Sequence, residues 1–239
     1  MPDFLNIEEV LYFHQNIKCS LEEAWEIELK TTEQSESNLW KNHRQIRLTA
    51  SAFHSIAHRM ADFDTLAANI YRNHEKDLSK LPAVSFGSRH ESVIRNFIRS
   101  QNESYILRKV GVVTNPRIPF LCASPDGLLF NKENVRLVEI KCCYNPENVE
   151  LNQLAKRPNF CLYNVDGIWK LKTTHAYFYQ IQGQLAISNL TECQFTFYYK
   201  YPNYIHTQII HFDPVFWNNL KQQLKNFYFN HYIKFCLRC

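Results

Sequence analysis

Glycine is scarce in this sequence, and long apolar runs are absent from it. Only 5 of the 239 residues are glycine, which argues against a glycine-rich phosphate loop and against an all-β array with many tight turns. No run of 18 apolar residues occurs, so no membrane-spanning helix is predicted. The first residues, MPDFLNIEEV, lack the basic and apolar segments of a secretory signal. The expected location is therefore intracellular, in the cytoplasm or the nucleus.

The composition is that of a folded domain with a large core. Hydrophobic residues make up 45% of the chain and charged residues 21%, both of which lie within the globular range. The 17 Phe, 13 Tyr and 4 Trp supply bulky side chains for packing. This composition excludes disorder as the main description, and the length leaves little room for two full-sized domains.

The cysteines favour reduced thiols over a disulfide framework. The sequence contains 8 Cys, and an unsecreted chain is expected to keep them reduced. Cys142 and Cys143 are adjacent, which makes a disulfide framework difficult. Cys236 and Cys239 form a C-x-x-C pair, which is half of a zinc site. No second close pair of Cys or His stands beside it, so zinc is only the alternative to plain thiols.

Acidic and basic residues are unevenly distributed along the chain. Residues 1–39 contain nine acidic and two basic side chains, a net charge of −7, whereas residues 40–239 carry a net charge of +11. A body this basic would attract a polyanion such as nucleic acid, although a solvated basic surface has the same composition. We therefore divide the chain into an acidic helical N-terminal segment, 1–39, and a domain, 40–239. The acidic segment could cover a basic groove or bind a partner.

Hydrophobic periodicity predicts helices and strands in a mixed order. The predicted helices cover 7–36, 49–60, 88–100, 175–189 and 214–235, and the predicted strands cover 105–113, 119–130, 135–142, 193–201 and 204–212. Residues 144–174 are predicted to be irregular. This order indicates a single α/β or α+β domain with a central mixed β-sheet flanked by helices.

The stretch SPDGLLF, followed by a turn and VRLVEIKC, has the pattern of an acidic metal site. Asp126 opens one predicted strand, Glu139 lies 13 residues later in the next strand, and Lys141 follows it by two. Because side chains alternate along a strand, Glu139 and Lys141 share one face, while Val138 and Ile140 point into apolar packing on the other. A hairpin of this length can bring Asp126 beside Glu139. Two such carboxylates suit Mg²⁺ or Mn²⁺ better than zinc.

These residue types match the needs of phosphodiester hydrolysis. In-line attack requires a deprotonated water, a metal ion that lowers the pKa of that water, and positive charge near the developing negative oxygens. A lysine beside a metal-bound carboxylate can hold the attacking water and offset that charge. The alternative is an ordinary surface ion pair between Glu139 and Lys141, which is the usual meaning of an isolated E-x-K.

Together, SPDGLLF and VEIKC resemble the PD-(D/E)XK nuclease signature, in the form found in phage lambda exonuclease and the YqaJ-type viral recombinases. Three further segments agree in the same order: WKNHRQIRLTAS (40–51), FGSRHE (86–91) and AYFYQIQGQL (176–185). The resemblance covers about residues 40–200. It implies an α/β fold with a restriction-endonuclease-like core.

The resemblance also implies roles at the metal site. Asp126 and Glu139 would bind Mg²⁺ or Mn²⁺, two ions per site, with the backbone carbonyl of Ile140 as a further ligand. Lys141 would position the nucleophilic water. Glu91 would contribute another carboxylate from its helix.

Two helical assignments have alternatives in the sequence itself. Glu91 could instead pair with Arg95 at i, i+4. Gln182 would line the site, but Gln180 and Gln182 lie about 200° apart on a helix, so only one of them can face the metals. The spacing does not choose between the two glutamines, and the resemblance favours Gln182.

The resemblance further implies a pocket for the 5′ end of a strand. Arg44 and Ser51 would recognise the terminal phosphate, and Ser124 would lie close to the same pocket. A guanidinium group suits bidentate phosphate capture, and a helix start at Thr49–Ser51 would complete an anion site. The alternative is a generic basic face, because other basic residues surround Arg44 in KNHRQIR.

The resulting hypothesis is a metal-dependent deoxyribonuclease that hydrolyses duplex DNA from a 5′ end during recombination or repair. The exonuclease activity and its polarity are implied only by the resemblance. The expected partners are double-stranded DNA ends, a single-strand annealing protein and further copies of the chain in a ring. The alternatives are an endonuclease of the same fold and a non-catalytic DNA-binding module.

Overall fold

The computed structural model describes every residue except 1, 3, 75, 77–79, 202 and 239. Its helices are α1 (Ile7–Tyr12), α2 (Leu21–Lys30), α3 (Asn38–Gln45), α4 (Phe53–Ala57), α5 (Phe63–Asn73), α6 (Pro82–Gln101), α7 (Leu151–Leu154), α8 (Ala176–Ser188), α9 (Pro214–Phe227) and α10 (Ile233–Cys236). Its strands are β1 (Leu48–Thr49), β2 (Ile106–Arg108), β3 (Val113–Thr114), β4 (Leu121–Ala123), β5 (Gly127–Phe130), β6 (Val135–Cys143), β7 (Leu162–Val165), β8 (Ile168–Leu171), β9 (Glu192–Tyr199) and β10 (Tyr204–His211).

A mixed β-sheet forms the centre of the molecule, as the sequence predicts. Its described strands run in the order β10-β9-β6-β5-β2. Strand β6 is antiparallel to β5 and parallel to β9, and the parallel pairing places Glu139 beside Phe195. A parallel pair needs a crossover connection, and α8 lies within the one that joins β6 to β9. This connection brings α8 close to the strand that carries the acidic motif.

The two faces of β6 pack against different helices. Val138 and Ile140 share a buried cluster with Ile94 and Ile98 of α6. On the other face, Leu137 belongs to a cluster that includes residues of α8. The alternation predicted for VRLVEIKC is therefore observed, since the odd-numbered side chains face α8 and the even-numbered ones face α6.

Three short strands form a second, smaller sheet. Strand β4 lies between β1 and β3, parallel to β1 and antiparallel to β3. The register pairs Leu48 with Leu121 and Thr49 with Cys122. Because the two strands are parallel, the segments that follow them, which contain Ser51 and Ser124, leave the sheet at the same end.

The acidic N-terminal segment packs onto the domain and shares its core. Phe13 and Ile17 are buried in the largest hydrophobic cluster. Arg47, which is 1% exposed, ties this segment in place because its guanidinium donates to the carbonyls of Asn16, Ile17 and Pro119. This arginine is therefore a structural residue and is not part of a solvated basic face.

Several predicted elements need correction. The predicted helix 7–36 is divided into α1 and α2, the predicted strand 119–130 is divided into β4 and β5, and the predicted strand 105–113 is interrupted between β2 and β3. Helix α6 begins at Pro82, where a proline at the first helical position fits the missing N–H, and not after Gly87. Residues 144–174 are not irregular throughout, because they contain α7 and the antiparallel hairpin β7–β8. The hairpin turn is formed by Asp166 and Gly167, with φ values of 50° and 84°, and an Asp-Gly pair is a typical signal for such a turn.

The structure also bears on the predictions about membrane-spanning helices and about cysteines. Among the described residues, none of the helices has the length and hydrophobicity needed to span a bilayer. Unbridged thiols are found at Cys19, Cys122, Cys142, Cys143, Cys161 and Cys193. Cys236 is buried, whereas Cys239 lies outside the described residues, so the terminal C-x-x-C pair stays a prediction.

Candidate active site

The hairpin of β5 and β6 places Asp126 against the backbone of the neighbouring strand. Asp126 precedes β5, and the backbone N–H of Ile140 donates to Asp126 Oδ2 at 2.6 Å. Gly127 lets β2 pack closely on the other side of β5, because a Cβ atom there would lie 2.9 Å from Leu107 Cδ1 and 3.2 Å from the carbonyl oxygen of Arg108. The proximity predicted for the two ends of the motif is observed.

Glu139 and Lys141 project together from β6 on the side of α8. The Nζ atom of Lys141 lies 2.6 Å from Glu139 Oε1. The Glu139 side chain is 1% exposed, whereas 22% of the Lys141 side chain remains exposed. The Lys141 ammonium also lies 4.9 Å from the ring centroid of Tyr177 at the start of α8. This is a buried carboxylate with a partly accessible cation, unlike the surface ion pair that an isolated E-x-K usually forms.

Two glutamines of α8 hold both oxygens of the Glu139 carboxylate. Gln180 Nε2 donates to Oε1 at 2.6 Å, and Gln184 Nε2 donates to Oε2 at 2.7 Å. The two residues are four positions apart, so they lie on the same face of the helix. From the sequence, Gln180 is the alternative to Gln182, and no role is predicted for Gln184. Their i, i+4 spacing is the signal that indicates a shared face.

The expectation that Gln182 lines the site is wrong. Its Nε2 donates to the carbonyl of His211 at 2.8 Å, and its Oε1 accepts from the N–H of Asp213 at 2.8 Å. Gln182 thus joins α8 to the connection between β10 and α9. The rotation of α8 is fixed by close packing at Gly183, where a Cβ atom would lie 2.4 Å from the Phe53 ring.

The charges in the site favour an additional cation. Burial, followed by the charge of Glu139, raises the pKa of Asp126 to about 8, against the opposing effect of Lys141. Burial alone would lower the pKa of Lys141, but Glu139 and Asp126 outweigh it and raise the pKa above its usual value. Lys141 is therefore protonated at neutral pH, and the repulsion between Asp126 and Glu139 is only partly relieved by it.

Glu91 makes the ion pair that the sequence offered as its alternative role. Its Oε1 lies 2.8 Å from Arg95 Nε, and 41% of its side chain is exposed. Arg95 also donates to the carbonyl of Asp126, so Glu91 is linked to the acidic pair through this arginine. The charge of Glu91 contributes to the raised pKa of Asp126. A metal-binding role for Glu91 stays a proposal.

The donor set suits a hard divalent cation. Within the described residues, no three His, Cys, Asp or Glu side chains are placed to hold one metal ion. Asp126 and Glu139 nevertheless provide two carboxylates. In a strand, the N–H and C=O of one residue point to the same side, so the carbonyl of Ile140 lies on the side of Asp126. Mg²⁺ is commonly held by one or two carboxylates, with water and substrate phosphates completing its shell. The residues therefore fit such an ion.

Arg44 and Ser124 meet beside the acidic site. Arg44 Nη1 donates to Ser124 Oγ at 3.1 Å, and Trp40 Nε1 donates to the same oxygen at 3.0 Å. The guanidinium carbon of Arg44 lies 4.0 Å from the centroid of the Trp40 ring. Arg44 Nε is buried without a hydrogen-bond partner in the described part of the chain. Among the described residues, no acid forms an ion pair with Arg44.

Ser51 does not contact this pair directly. It is exposed, and its Oγ lies 3.1 Å from Thr49 Oγ1. The parallel pairing of β1 and β4 directs the chain at Ser51 towards the same end as Ser124. Of the residues predicted for a 5′-phosphate pocket, the structure brings Arg44 and Ser124 into contact. It adds Trp40, which lies four positions before Arg44 on α3.

Residues 39–193 match the model of the YqaJ-like viral recombinase domain. The fold resembles that of the alkaline exonuclease LHK-Exo from Laribacter hongkongensis in complex with dAMP, with a TM-score of 0.63 and 20% identity over 84% of this chain and 95% of that one. A search of the curated proteins gives no significant match.

Two further structures share the fold. The SOX protein of Kaposi's sarcoma-associated herpesvirus, in complex with DNA, has a TM-score of 0.57 and 14% identity over 87% of this chain and 70% of that one. A phage-related exonuclease from Haemophilus somnus has a TM-score of 0.51 and 14% identity over 83% of this chain and 98% of that one. The family model matches well over half of the sequence and includes the acidic motif, so the chain belongs to the family of YqaJ-like viral recombinase domains.

Proposed function

We propose that the protein is a metal-dependent deoxyribonuclease that digests duplex DNA from a 5′ end. The convergence of Asp126, Glu139 and Lys141 supports this proposal most strongly. A structural ion pair alone would not explain a second carboxylate beside it, two glutamines on the same carboxylate and a raised pKa at Asp126. The exonuclease names of its structural neighbours agree with the proposal.

Each residue of the site has a distinct task in this proposal. Asp126, Glu139 and the carbonyl of Ile140 would hold Mg²⁺ or Mn²⁺, two ions per site. When bound, such ions lower the pKa of water and neutralise the transferring phosphate. Gln180 and Gln184 fix the orientation of the Glu139 carboxylate.

Lys141 orients the attacking water and does not take its proton. Its pKa is raised, so the amine stays protonated and cannot act as a general base at neutral pH. Its positive charge, 2.6 Å from Glu139 Oε1, instead stabilises negative charge that develops on the phosphate oxygens. Glu91 would join the site as a further carboxylate if its pair with Arg95 opens.

The pair of Arg44 and Ser124 would bind the terminal 5′-phosphate. A half-buried guanidinium whose Nε has no hydrogen-bond partner among the described residues has the donors that a phosphate requires. The stacked Trp40 ring holds that guanidinium in place. Ser51 would add a hydroxyl from the neighbouring segment. This arrangement supports digestion from the 5′ end, since only a strand with a 5′-terminal phosphate fills the pocket.

The proposed function also implies binding partners for the protein. Double-stranded DNA ends are the substrate, in keeping with the DNA complex of the SOX protein. A single-strand annealing protein and further copies of the chain in a ring would bind the protein during recombination or repair. Light scattering of the purified protein, alone and with an annealing protein, tests these assemblies.

Digestion of linear and covalently closed circular duplex DNA tests the function. We expect Mg²⁺-dependent release of nucleotides from the linear form only, and no release in EDTA. Glu139→Gln should reduce the rate by at least about a hundredfold, since it removes one metal ligand. Cleavage of the circle would favour an endonuclease. Binding of DNA without any digestion would favour a non-catalytic module.

A preference for 5′-phosphorylated ends tests the proposed polarity. Arg44→Ala should slow digestion of phosphorylated ends and leave hydroxyl ends little changed, because only the former can bond to the guanidinium. Equal rates of the wild-type protein on both kinds of end would reject this role of Arg44.

A further inference from the structure

A basic cavity lies at the opposite end of β4 from Ser124. Its volume is about 530 Å³, within the range of small-molecule sites. Its walls come from the π-helical turn Phe13–Ile17 and the residue that follows it, from the loop 116–120 before β4, and from α9 with the turn after it. Phe120 lines the cavity, whereas Ser124 beyond the other end of the strand belongs to the candidate active site. The cavity is therefore separate from that site.

Four cationic side chains converge on this cavity. They are Lys18, Arg117, Lys221 and Lys225, and no Asp or Glu lines the cavity with them. None of the four forms an ion pair with an acid among the described residues. Lys221 and Lys225 are four positions apart on α9, where like charges destabilise a helix. Unrelieved positive charge from three chain segments indicates that the cavity binds an anion.

The floor of the cavity is aromatic. The ring of Phe229 lies 5.4 Å, centroid to centroid, from both Phe13 and Phe120. Ile118 and Pro116 add apolar surface at the edge. A simple inorganic anion would leave these apolar groups without a partner. A ligand that combines a phosphate with a flat, weakly polar ring system would contact both the floor and the rim.

We propose that this cavity binds a nucleotide unit, with its phosphate at the lysines and its base against the apolar floor. The inference rests on the proposed function in one respect, since a nuclease acting on DNA provides such units in two forms. One is the free mononucleotide that hydrolysis releases, and the other is a nucleotide within the single strand that digestion leaves. Both present the same phosphate and base chemistry to the cavity.

Titration calorimetry in EDTA, with dAMP as the probe, tests the cavity without any hydrolysis. The double variant Lys221→Gln, Lys225→Gln should weaken dAMP binding at least tenfold, because it removes two phosphate-bonding cations. The matched control is Lys132→Gln, Lys170→Gln, which removes the same charge from two exposed lysines outside the cavity. This control should bind dAMP as the wild-type protein does. The titrations are repeated in the Arg44→Ala background, so that the 5′-phosphate site proposed above does not contribute, and the cavity should still bind dAMP there.

The comparison of ligands identifies the source of the nucleotide. Tighter binding of a 5′-phosphorylated trideoxynucleotide than of dAMP supports the single strand, and equal binding supports the free mononucleotide. Inorganic phosphate should bind at least tenfold more weakly than dAMP.

The proposal is overturned if phosphate binds as tightly as dAMP, if the Lys221 and Lys225 variant binds dAMP normally, or if Arg44→Ala abolishes the binding. Failure of the nuclease proposal would appear separately, as absence of Mg²⁺-dependent digestion.

Discussion

Replacing Asp126 by asparagine should stabilise the metal-free protein while it removes the proposed activity. Asparagine has nearly the same shape as aspartate. In the wild-type protein the N–H of Ile140 donates to Asp126 Oδ2 at 2.6 Å, and the Oδ1 of asparagine can still accept this bond. The substitution removes one of two carboxylates that repel each other in a buried site. The gain in stability is thus expected from charge and not from a new contact.

The size and the pH dependence of this effect follow from the raised pKa of Asp126. Burial and Glu139 raise this pKa from 3.8 to about 8, and one pKa unit corresponds to about 1.4 kcal/mol. Because the carboxyl binds its proton more tightly in the folded state, the wild-type protein loses stability as pH rises between these values. At pH 8 the variant should be more stable by at least about 1.4 kcal/mol. The gain should shrink as the pH falls towards 4.

Thermal unfolding in EDTA at pH 5 and pH 8 measures this difference. A chain of this size shifts in Tm by about 2–4 °C per kcal/mol, so an increase of at least about 3 °C is expected at pH 8. Mg²⁺ should raise the Tm of the wild-type protein and leave that of the variant unchanged. The matched control is Asp166→Asn, an exposed position with φ of 50° that asparagine accepts. A variant that is less stable than the wild-type protein at pH 8 would refute the reasoning.

Three further substitutions test the packing around the site. Gln184→Leu removes the donor to Glu139 Oε2 at 2.7 Å and should lower kcat about tenfold with little change in KM, as a charge-assisted bond is lost; an unchanged kcat would exclude the orienting role. Gly183→Ala should destabilise the fold by about 1–3 kcal/mol in urea unfolding, because its Cβ would meet Phe53 at 2.4 Å. Gly87→Ala is its control, with nothing within 4 Å, and should not destabilise. Arg47→Met leaves buried carbonyls unsatisfied and should cost about 3 kcal/mol or more in the same assay. A loss below about 1 kcal/mol would contradict its structural role.

The acidic motif could be predicted from the sequence because its geometry is local. Glu139 and Lys141 share a face as a consequence of strand alternation alone. The short hairpin leaves Asp126 few positions other than beside Ile140. The side chain of Ile140 packs towards α6 for the same reason. These relations need no knowledge of the rest of the chain.

The choice between Gln180 and Gln182 could not be made from the sequence. The spacing shows that they lie on different faces, but the rotation of α8 depends on how Gly183 meets Phe53 of another helix. The family resemblance favoured Gln182, whereas the contact with Glu139 is made by Gln180 and Gln184. Tertiary contacts therefore decide which polar face reaches the site.

The structural role of Arg47 was also beyond local reasoning. Its partners, the carbonyls of Asn16, Ile17 and Pro119, are distant in sequence. A count of basic residues therefore overestimates the charge available to nucleic acid near Arg44. By contrast, the hairpin β7–β8 was within reach, because Asp166 and Gly167 form a recognisable turn pair.

The central claim is that the two carboxylates and the amine on adjacent strands form a hydrolytic centre. The most direct test is the initial rate at which acid-soluble nucleotides are released from linear 5′-phosphorylated duplex DNA in Mg²⁺. The wild-type protein and Asp126→Asn should be compared at equal concentrations of folded protein. The account predicts Mg²⁺-dependent release by the wild-type protein and a rate at least about a hundredfold lower for the variant. Equal rates for the two proteins would contradict it.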